Sequence, residues 1–339
     1  MAINSVVYSP KDVKFGLSEE STFGTPIADN GAFIQYAEFD SVTVNYGLTQ
    51  VADLRNRARR MIDKGDLYTS QTGGIRTISV SGIPLRVKDA AELLYAVTQS
   101  VTEASTTPYQ KVFNIDWTSQ PDSGSNAGFF CTIGLWKQID GYHEKFTSCI
   151  ATSLTLNYDG VGGDGRIMAD IEFVTGFAVL PTSTFSGTWT VNTQSYIDGH
   201  AFGTKSITAT DVVCYGWDLT INNNAVRVGN DASGECQTYA IGVGGNGMEL
   251  TGNIKVKYDA NVQALKADYV AGTTRAIILS KGSTGVDGYF LLSLLACYFT
   301  DHTDEAVDQG AAINLPFTGV YESGNEITLA VADAVDKAW

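Results

Sequence analysis

Leu154-Thr155-Leu156-Asn157-Tyr158-Asp159-Gly160-Val161-Gly162-Gly163-Asp164-Gly165-Arg166-Ile167-Met168-Ala169-Asp170-Ile171-Glu172-Phe173 decides the fold class. Leu154, Leu156 and Tyr158 alternate with polar residues. After a glycine-rich turn, Ile167, Ala169, Ile171 and Phe173 alternate with Met168, Asp170 and Glu172. A period of two puts one set on each face of a half-buried strand, and four glycines in six residues supply the turn. The stretch predicts a β-hairpin.

The same period recurs on both sides of it. Val42-Thr43-Val44-Asn45-Tyr46 precedes it; Tyr215, Trp217, Leu219 and Ile221, then Met248 and Leu250, then Ile254, Val256 and Tyr258, and finally Ile327, Leu329 and Val331 follow. Helical signals are few. Asp89-Ala90-Ala91-Glu92 has the form of a capping box with Asp89 as the N-cap, and Ala90, Leu93, Leu94 and Val97 fall on one face. A second helix is expected from Asp259, with Val262, Leu265 and Tyr269 on one stripe, while Val51 to Lys64 reads as a short helix or a long ordered loop. The expected architecture is mainly β, sandwich- or barrel-like, with one short helix per half.

Spacing points to an internal duplication. Ser81-Gly82 followed by Asp89-Ala90 reappears as Thr251-Gly252 followed by Asp259-Ala260. Thr43-Val44-Asn45 likewise echoes Thr220-Ile221-Asn222, each before an excursion with a glycine pair, Gly73-Gly74 or Gly244-Gly245. The apolar phase after Gly82 (Ile83, Leu85, Val87) is one residue out of step with that after Gly252 (Ile254, Val256, Tyr258). A bulge at one glycine, or coincidence, accounts for the slip. A linker is expected at Leu180 to Thr184, dividing the chain into residues 1–180 and 181–339.

Composition narrows the functional classes. Charged residues are 17% against a usual quarter, and Gly reaches 35, which favours short strands and tight turns over disorder. The net charge of −15 opposes phosphate binding but not a channel through which DNA slides without sticking, and ordinary acidic solubility accounts for it equally well. Five widely spaced cysteines, Cys131, Cys149, Cys214, Cys236 and Cys297, show no CxxC pair and read as reduced, mostly buried thiols. Met1 to Phe15 lacks the pattern of a signal peptide, and the apolar run Tyr289 to Phe299 is too short to cross a bilayer. These features predict a chain made in the cytoplasm, with no membrane partner.

Motifs for chemistry are missing. His143, His200 and His302 lack metal-ligand spacing, and Asp301-His302-Thr303-Asp304-Glu305 reads as a solvated acidic loop before it reads as a cation site. There is no GxSxG, HExxH or GxxxxGK[ST], and Gly160 to Gly165, a faint likeness to a calcium-binding repeat, reads as a turn. Paired carboxylates leave no sequence spacing, so a β-rich hydrolase stays as a minor alternative. The expectation is no catalytic residue, no cofactor and no metal.

Four of the nine arginines, Arg55, Arg57, Arg59 and Arg60, lie within six residues. The guanidinium fork pairs bidentately with carboxylates and is favoured at interfaces, so a basic patch on an acidic chain suits docking to another copy. A solvated loop held by Asp53 and Asp63 is the plain alternative, and DNA binding a weaker third.

With strands, duplication and excursion in place, the chain resembles the tail tube proteins of long-tailed bacteriophages, in the larger form with two tube-like halves. Phe15-Gly16-Leu17-Ser18-Glu19-Glu20-Ser21-Thr22-Phe23-Gly24-Thr25-Pro26 is similar to their N-terminal G-x-x-E-E-x-x-x-G-T run. Thr147 to Leu156 with Gly163 and Ile167 to Phe173 is similar to their late hairpin, and Val213 to Asn224 to the strand opening the second half. The arginine cluster and the extension before Phe15 depart from the pattern. The resemblance implies a structural subunit of the virion tail, assembled in the host cytoplasm. Its copies would form trimeric or hexameric rings stacked into a tube, with Arg55, Arg57, Arg59 and Arg60 between rings. Tape measure, terminator and tail tip proteins would be further partners, with DNA a transient passenger in an acidic lumen. The alternative is a β-sandwich surface module binding carbohydrate on host cells through exposed aromatic rings.

Overall fold

The computed structural model describes residues 13–47, 49–52, 67–70, 75–114, 128–137, 143–182, 184–230, 236–240, 248–301, 303–307, 310–320 and 327–333. The fold is mainly β. The first part of the chain forms β1 (Val13–Glu19), β2 (Phe33–Tyr36), β3 (Ser41–Asn45), β4 (Thr49–Ala52), β5 (Leu67–Ser70), β6 (Arg76–Pro84) and α1 (Val87–Thr98). It continues with β7 (Thr102–Glu103), β8 (Tyr109–Asn114), β9 (Cys131–Lys137), β10 (His143–Asp159), β11 (Met168–Thr175), β12 (Leu180–Thr182) and β13 (Trp189–Val191). Then come β14 (Thr204–Ile207), β15 (Thr210–Asp211), β16 (Cys214–Asn222), β17 (Val226–Asn230), β18 (Cys236–Ala240), β19 (Glu249–Lys257) and α2 (Ala260–Ala271). The last strands are β20 (Arg275–Lys281), β21 (Tyr289–Phe299), β22 (Thr303–Val307), β23 (Gly310–Gly319) and β24 (Ile327–Asp333).

The pairings repeat. In the first round the order is β2-β1-β9-β10-β11-β6-β3, with β12 also on β10. In the second it is β15-β14-β20-β21-β23-β19-β16, with β24 also on β21 and β22 continuing along β23. Each round has a hairpin in its excursion, β4–β5 or β17–β18, and one helix after β6 or β19. The hairpin read from Leu154 to Phe173 is present, with Leu154 opposite Ile171 and Leu156 opposite Ala169. The slip after Gly82 is a bulge. Val80 faces Ile171 while Ile83 faces Ala169, so β6 carries one extra residue. Gly82 takes φ +69° there, and its N–H donates to Asp170 Oδ1 at 2.7 Å. Gly252 stays in regular register.

Two expectations are corrected. Asp89 is not the N-cap of α1, because the helix begins at Val87 with Arg86 as its cap and no side-chain cap bond from that residue. Gln194 Oε1 instead accepts from the Lys88 N–H at 3.1 Å, so the cap comes from a distant segment. Asp259 does cap α2, accepting from Asn261 N and Val262 N. The stretch from Leu180, read as a linker, is strand β12 against the start of β10 (His143 opposite Thr182). The chain beyond it still adds β13, parallel to β2. Low charge and small polar side chains mark an edge strand here as readily as a linker.

One apolar core runs through both rounds, from Phe15 and Leu17 to Leu329 and Val331. Cys131, Cys149, Cys214 and Cys297 are buried free thiols, and the Cys236 side chain, His302 and the glycine pairs lie outside the described residues. Buried polar groups are held at fixed points. Glu20, 3% exposed, accepts from Ser148 N (2.8 Å), Ser148 Oγ (2.5 Å) and Thr132 Oγ1 (2.6 Å). Ser148 sits at φ +45° where β10 bulges against β9, between Phe146 opposite Ile133 and Cys149 opposite Cys131. Burial pushes the Glu20 carboxyl up, and its hydrogen bonds pull it partly back. Glu20→Ala leaves Ser148 N–H and two hydroxyls without their acceptor in the core. It should cost on the order of 3 kcal/mol in urea unfolding, with Thr132→Val costing about 1 kcal/mol.

Candidate functional site: a polar sheet face between two open edges

The rounds meet in two ladders, β24 on β8 (Thr328 opposite Asn114 to Asp333 opposite Tyr109) and β16 on β10. β10 pairs with β16 from Ser153 opposite Asn222 to Asp159 opposite Gly216. The result is a continuous sheet in the order β3-β6-β11-β10-β16-β19-β23-β22. It does not return on itself. Among the described residues β3 pairs only with β6, and β22 only with β23.

Because cross-strand partners share a face, the register sorts the side chains. One row, Val42-Val80-Ile171-Leu154-Ile221-Leu250, packs into the core, where all but Val42 are buried. The neighbouring row, Thr43-Ser79-Glu172-Ser153-Asn222-Glu249, lies on the opposite face. The next polar row, Asp170-Thr155-Thr220-Thr251-Thr318, continues the pattern. Hydroxyls bridge the strands: Thr155 and Thr220 Oγ1 are 2.9 Å apart, and Ser79 Oγ donates to Glu172 Oε2 at 3.3 Å. Asp170, Glu172, Asp218 and Glu249 set the charge of this face, with Lys255 and Lys257 toward one end. Partial burial pushes the Asp218 carboxyl up, while a hydrogen bond from Asn253 offsets part of that rise.

This is a wall of short hydroxyl, amide and carboxylate groups. It presents no row of cations that would grip phosphates, and no large aromatic platform. Tyr46 is the only exposed aromatic residue among those whose side chains are described, while Trp189 stacks on Phe33 at 5.1 Å and Trp217 is buried. The polar members of the alternating strands were visible in the sequence. Which strands lie side by side was not.

Arg55, Arg57, Arg59 and Arg60 lie outside the described residues, in the excursion between β4 and β5. Asp304, of the acidic stretch, pairs with Lys266 at 3.1 Å. Gly160 to Gly165 belongs to the turn between β10 and β11, where Asp159 Oδ1 accepts from Val161 N and Gly162 N. Among the described residues no group of three or more His, Cys, Asp and Glu side chains is gathered as a metal site would need.

The most perturbed carboxyls were missed as a pair. Asp89 and Glu92 lie one turn apart on α1, 5% and 0% exposed. Tyr36 OH donates to Glu92 Oε2 at 3.2 Å, and Asn192 Nδ2 donates to Asp89 Oδ1. Burial pushes Glu92 up to about 8, with the Asp89 charge adding to the rise, and burial pushes Asp89 up to about 6. Perturbed pairs often mark active sites, but the cavity that Asp89 lines with Tyr36 and Arg86 measures only about 10 Å³, too small for a substrate.

The described residues thus form an open, mainly-β sheet with one apolar and one polar face. The family model described as phage tail tube protein matches residues 10–320, so this chain belongs to the phage tail tube protein family. No curated protein matches it. Membership places it among the self-assembling structural proteins of the bacteriophage virion tail. No helix among the described residues is long and apolar enough to cross a membrane.

The Glu92 environment makes stability depend on pH. Its folded value is raised above the unfolded one, so its contribution is full below about 4.5 and is lost as pH rises toward about 8. Glu92→Gln should therefore gain more at pH 8 than at pH 5, by on the order of a few kcal/mol, in denaturant melts at the two pH values.

Proposed function

We propose that the chain is a structural, non-catalytic subunit whose copies close into rings and stack into a tail tube. The polar face of the eight-strand sheet would line the channel through which DNA passes. That face, lying between two open edges, is the observation that carries the reading. An exposed sheet edge is a template for pairing, and closure into a barrel removes it. The repeated pairing order supports two tube-type domains in one chain. The segment after residue 180 stays with the first of them through β12, β13 and the contact of Arg86 with Tyr196 OH at 2.9 Å. Three copies then provide six domains, where single-domain subunits would need six copies. The host cytoplasm is where such rings would be assembled, with tape measure, terminator and tail tip proteins as partners.

The carboxylates and hydroxyls on the channel face suit a wall that DNA slides past, because like charge keeps the phosphates hydrated and unbound. Glu172→Lys/Asp218→Lys/Glu249→Lys should still assemble but should retain DNA at low salt, as measured by co-sedimentation with purified tubes. Unchanged DNA release would remove the channel-face assignment.

The arginine excursion is proposed as the inter-ring element. Changing Arg55, Arg57, Arg59 and Arg60 to Ser should leave rings that do not elongate, as counted by electron microscopy. The same micrographs of the unaltered protein test the whole reading: threefold rings with a central hole support two domains per chain, and strictly monomeric particles at every salt concentration refute assembly. The carbohydrate-binding alternative has no aromatic platform to support it among the described residues.

A further inference from the structure

We infer that the seam between neighbouring copies repeats the chain's own internal seam. β3 of one copy lies antiparallel on the end of β21 of the next, with Val44 opposite Phe299 and Thr43 opposite Thr300. This rests on the ring reading above, and adds to it the surfaces and register that join the copies.

The correspondence is fixed at several independent points. Thr43-Val44-Asn45 ends β3 as Thr220-Ile221-Asn222 ends β16. Asn45 Oδ1 accepts from Gly47 N at 3.0 Å and Asn222 Oδ1 from Asn224 N at 2.9 Å. The donors, Gly47 and Asn224, both have positive φ, +61° and +51°. The two strands therefore leave the sheet by the same turn. Crossing the first round from Thr43 gives Ser79, Glu172 and Ser153; crossing the second from Thr220 gives Thr251, Thr318 and Tyr298. Tyr298, Phe299 and Thr300 thus stand where Ser153, Leu154 and Thr155 stand. At the internal seam Leu154 faces Ile221 and Thr155 faces Thr220, so the copied seam places Phe299 against Val44 and Thr300 against Thr43.

Backbone phase agrees. Asn223 N donates to Thr152 O at 3.0 Å, so the alternate residue Leu154 also turns its N–H and C=O across the internal seam. On β21 the Thr300 N–H turns inward to Pro316 O at 2.9 Å, which directs the Phe299 groups outward, toward the unpaired side. A one-residue slip would lose this match and invert the faces.

The helices add a separate observation. α1 and α2 are each twelve residues long and end in a left-handed cap, Gln99 at φ +61° and Gly272 at φ +66°. Two residues before each cap stands a valine. Val97 is fully buried, and its carbonyl accepts from Asn223 Nδ2 at 3.2 Å, a residue immediately after β16. Val270 is 82% exposed. By correspondence the residue immediately after β3, Tyr46, comes over Val270 from the next copy. Tyr46 is the exposed aromatic residue already noted.

Thr43→Cys/Thr300→Cys places two thiols at directly opposite, closely spaced positions of the inferred ladder, within disulfide reach. Mild oxidation of assembled protein should give covalently closed rings on non-reducing gels, absent from either single variant, with tubes intact. Val270→Asp should abolish rings while leaving the melting temperature of the monomer unchanged. Tubes that form normally while only Thr43→Cys/Tyr298→Cys cross-links would overturn this register and leave the tube reading standing. Rings retained by Val270→Asp would likewise overturn the seam. A wild-type protein that never forms rings removes the tube reading, and the seam with it.

Discussion

The ladder between β10 and β16 is the interaction on which the rest of the molecule depends. It joins strands about 65 residues apart, the separation of Thr155 from Thr220, and makes one sheet of two rounds. Without it each round would end in an exposed edge inside a single chain, with apolar side chains such as Leu154 and Ile221 half covered. With it the apolar row continues unbroken into one core, and the polar row continues unbroken on the other face. Among the described residues this eight-strand sheet ends at β3 and β22, each paired on one side.

Buried polar contacts hold that sheet in shape. Glu20 fixes the bulge at Ser148, which lets β10 belong to two sheets at once, pairing with β9 early and with β11 and β16 later. Asn223 ties the end of β16 to the end of α1. Lys111 on β8 lies 3.2 Å from Asp333 at the end of β24, with both side chains buried, so the last strand of the second round is locked to the first. Each contact joins segments far apart in sequence, and each would be costly to leave half made. They give Glu20 of the Glu19-Glu20 pair a structural role, as the acceptor that holds the Ser148 bulge.

The two helices show how far local pattern reaches. The second helix was legible because Asp259 caps it locally and Val262 and Leu265 face the sheet. The start of the first was not, because its free N–H is met by Gln194 and its acids, Asp89 and Glu92, turn inward to Asn192 and Tyr36. A carboxylate three residues before another reads as a capping box wherever both are solvated. Burial by distant strands reverses that reading.

By itself the sequence determined the mainly-β class, the faces of the alternating strands, the hairpin at Leu154 to Phe173 and the cap at Asp259. These follow from a period of two or from a local hydrogen bond, and both are set by neighbours within a few residues. Tertiary structure alone decided that Leu180–Thr182 is an edge strand, that Gly82 carries the bulge, and that the polar row joins Thr43 to Glu249. It also decided that Val97 is covered and Val270 is not. Those outcomes depend on which ladders form across scores of residues. Alternation states only that a strand has a dry side and a wet side, without naming the strand beside it.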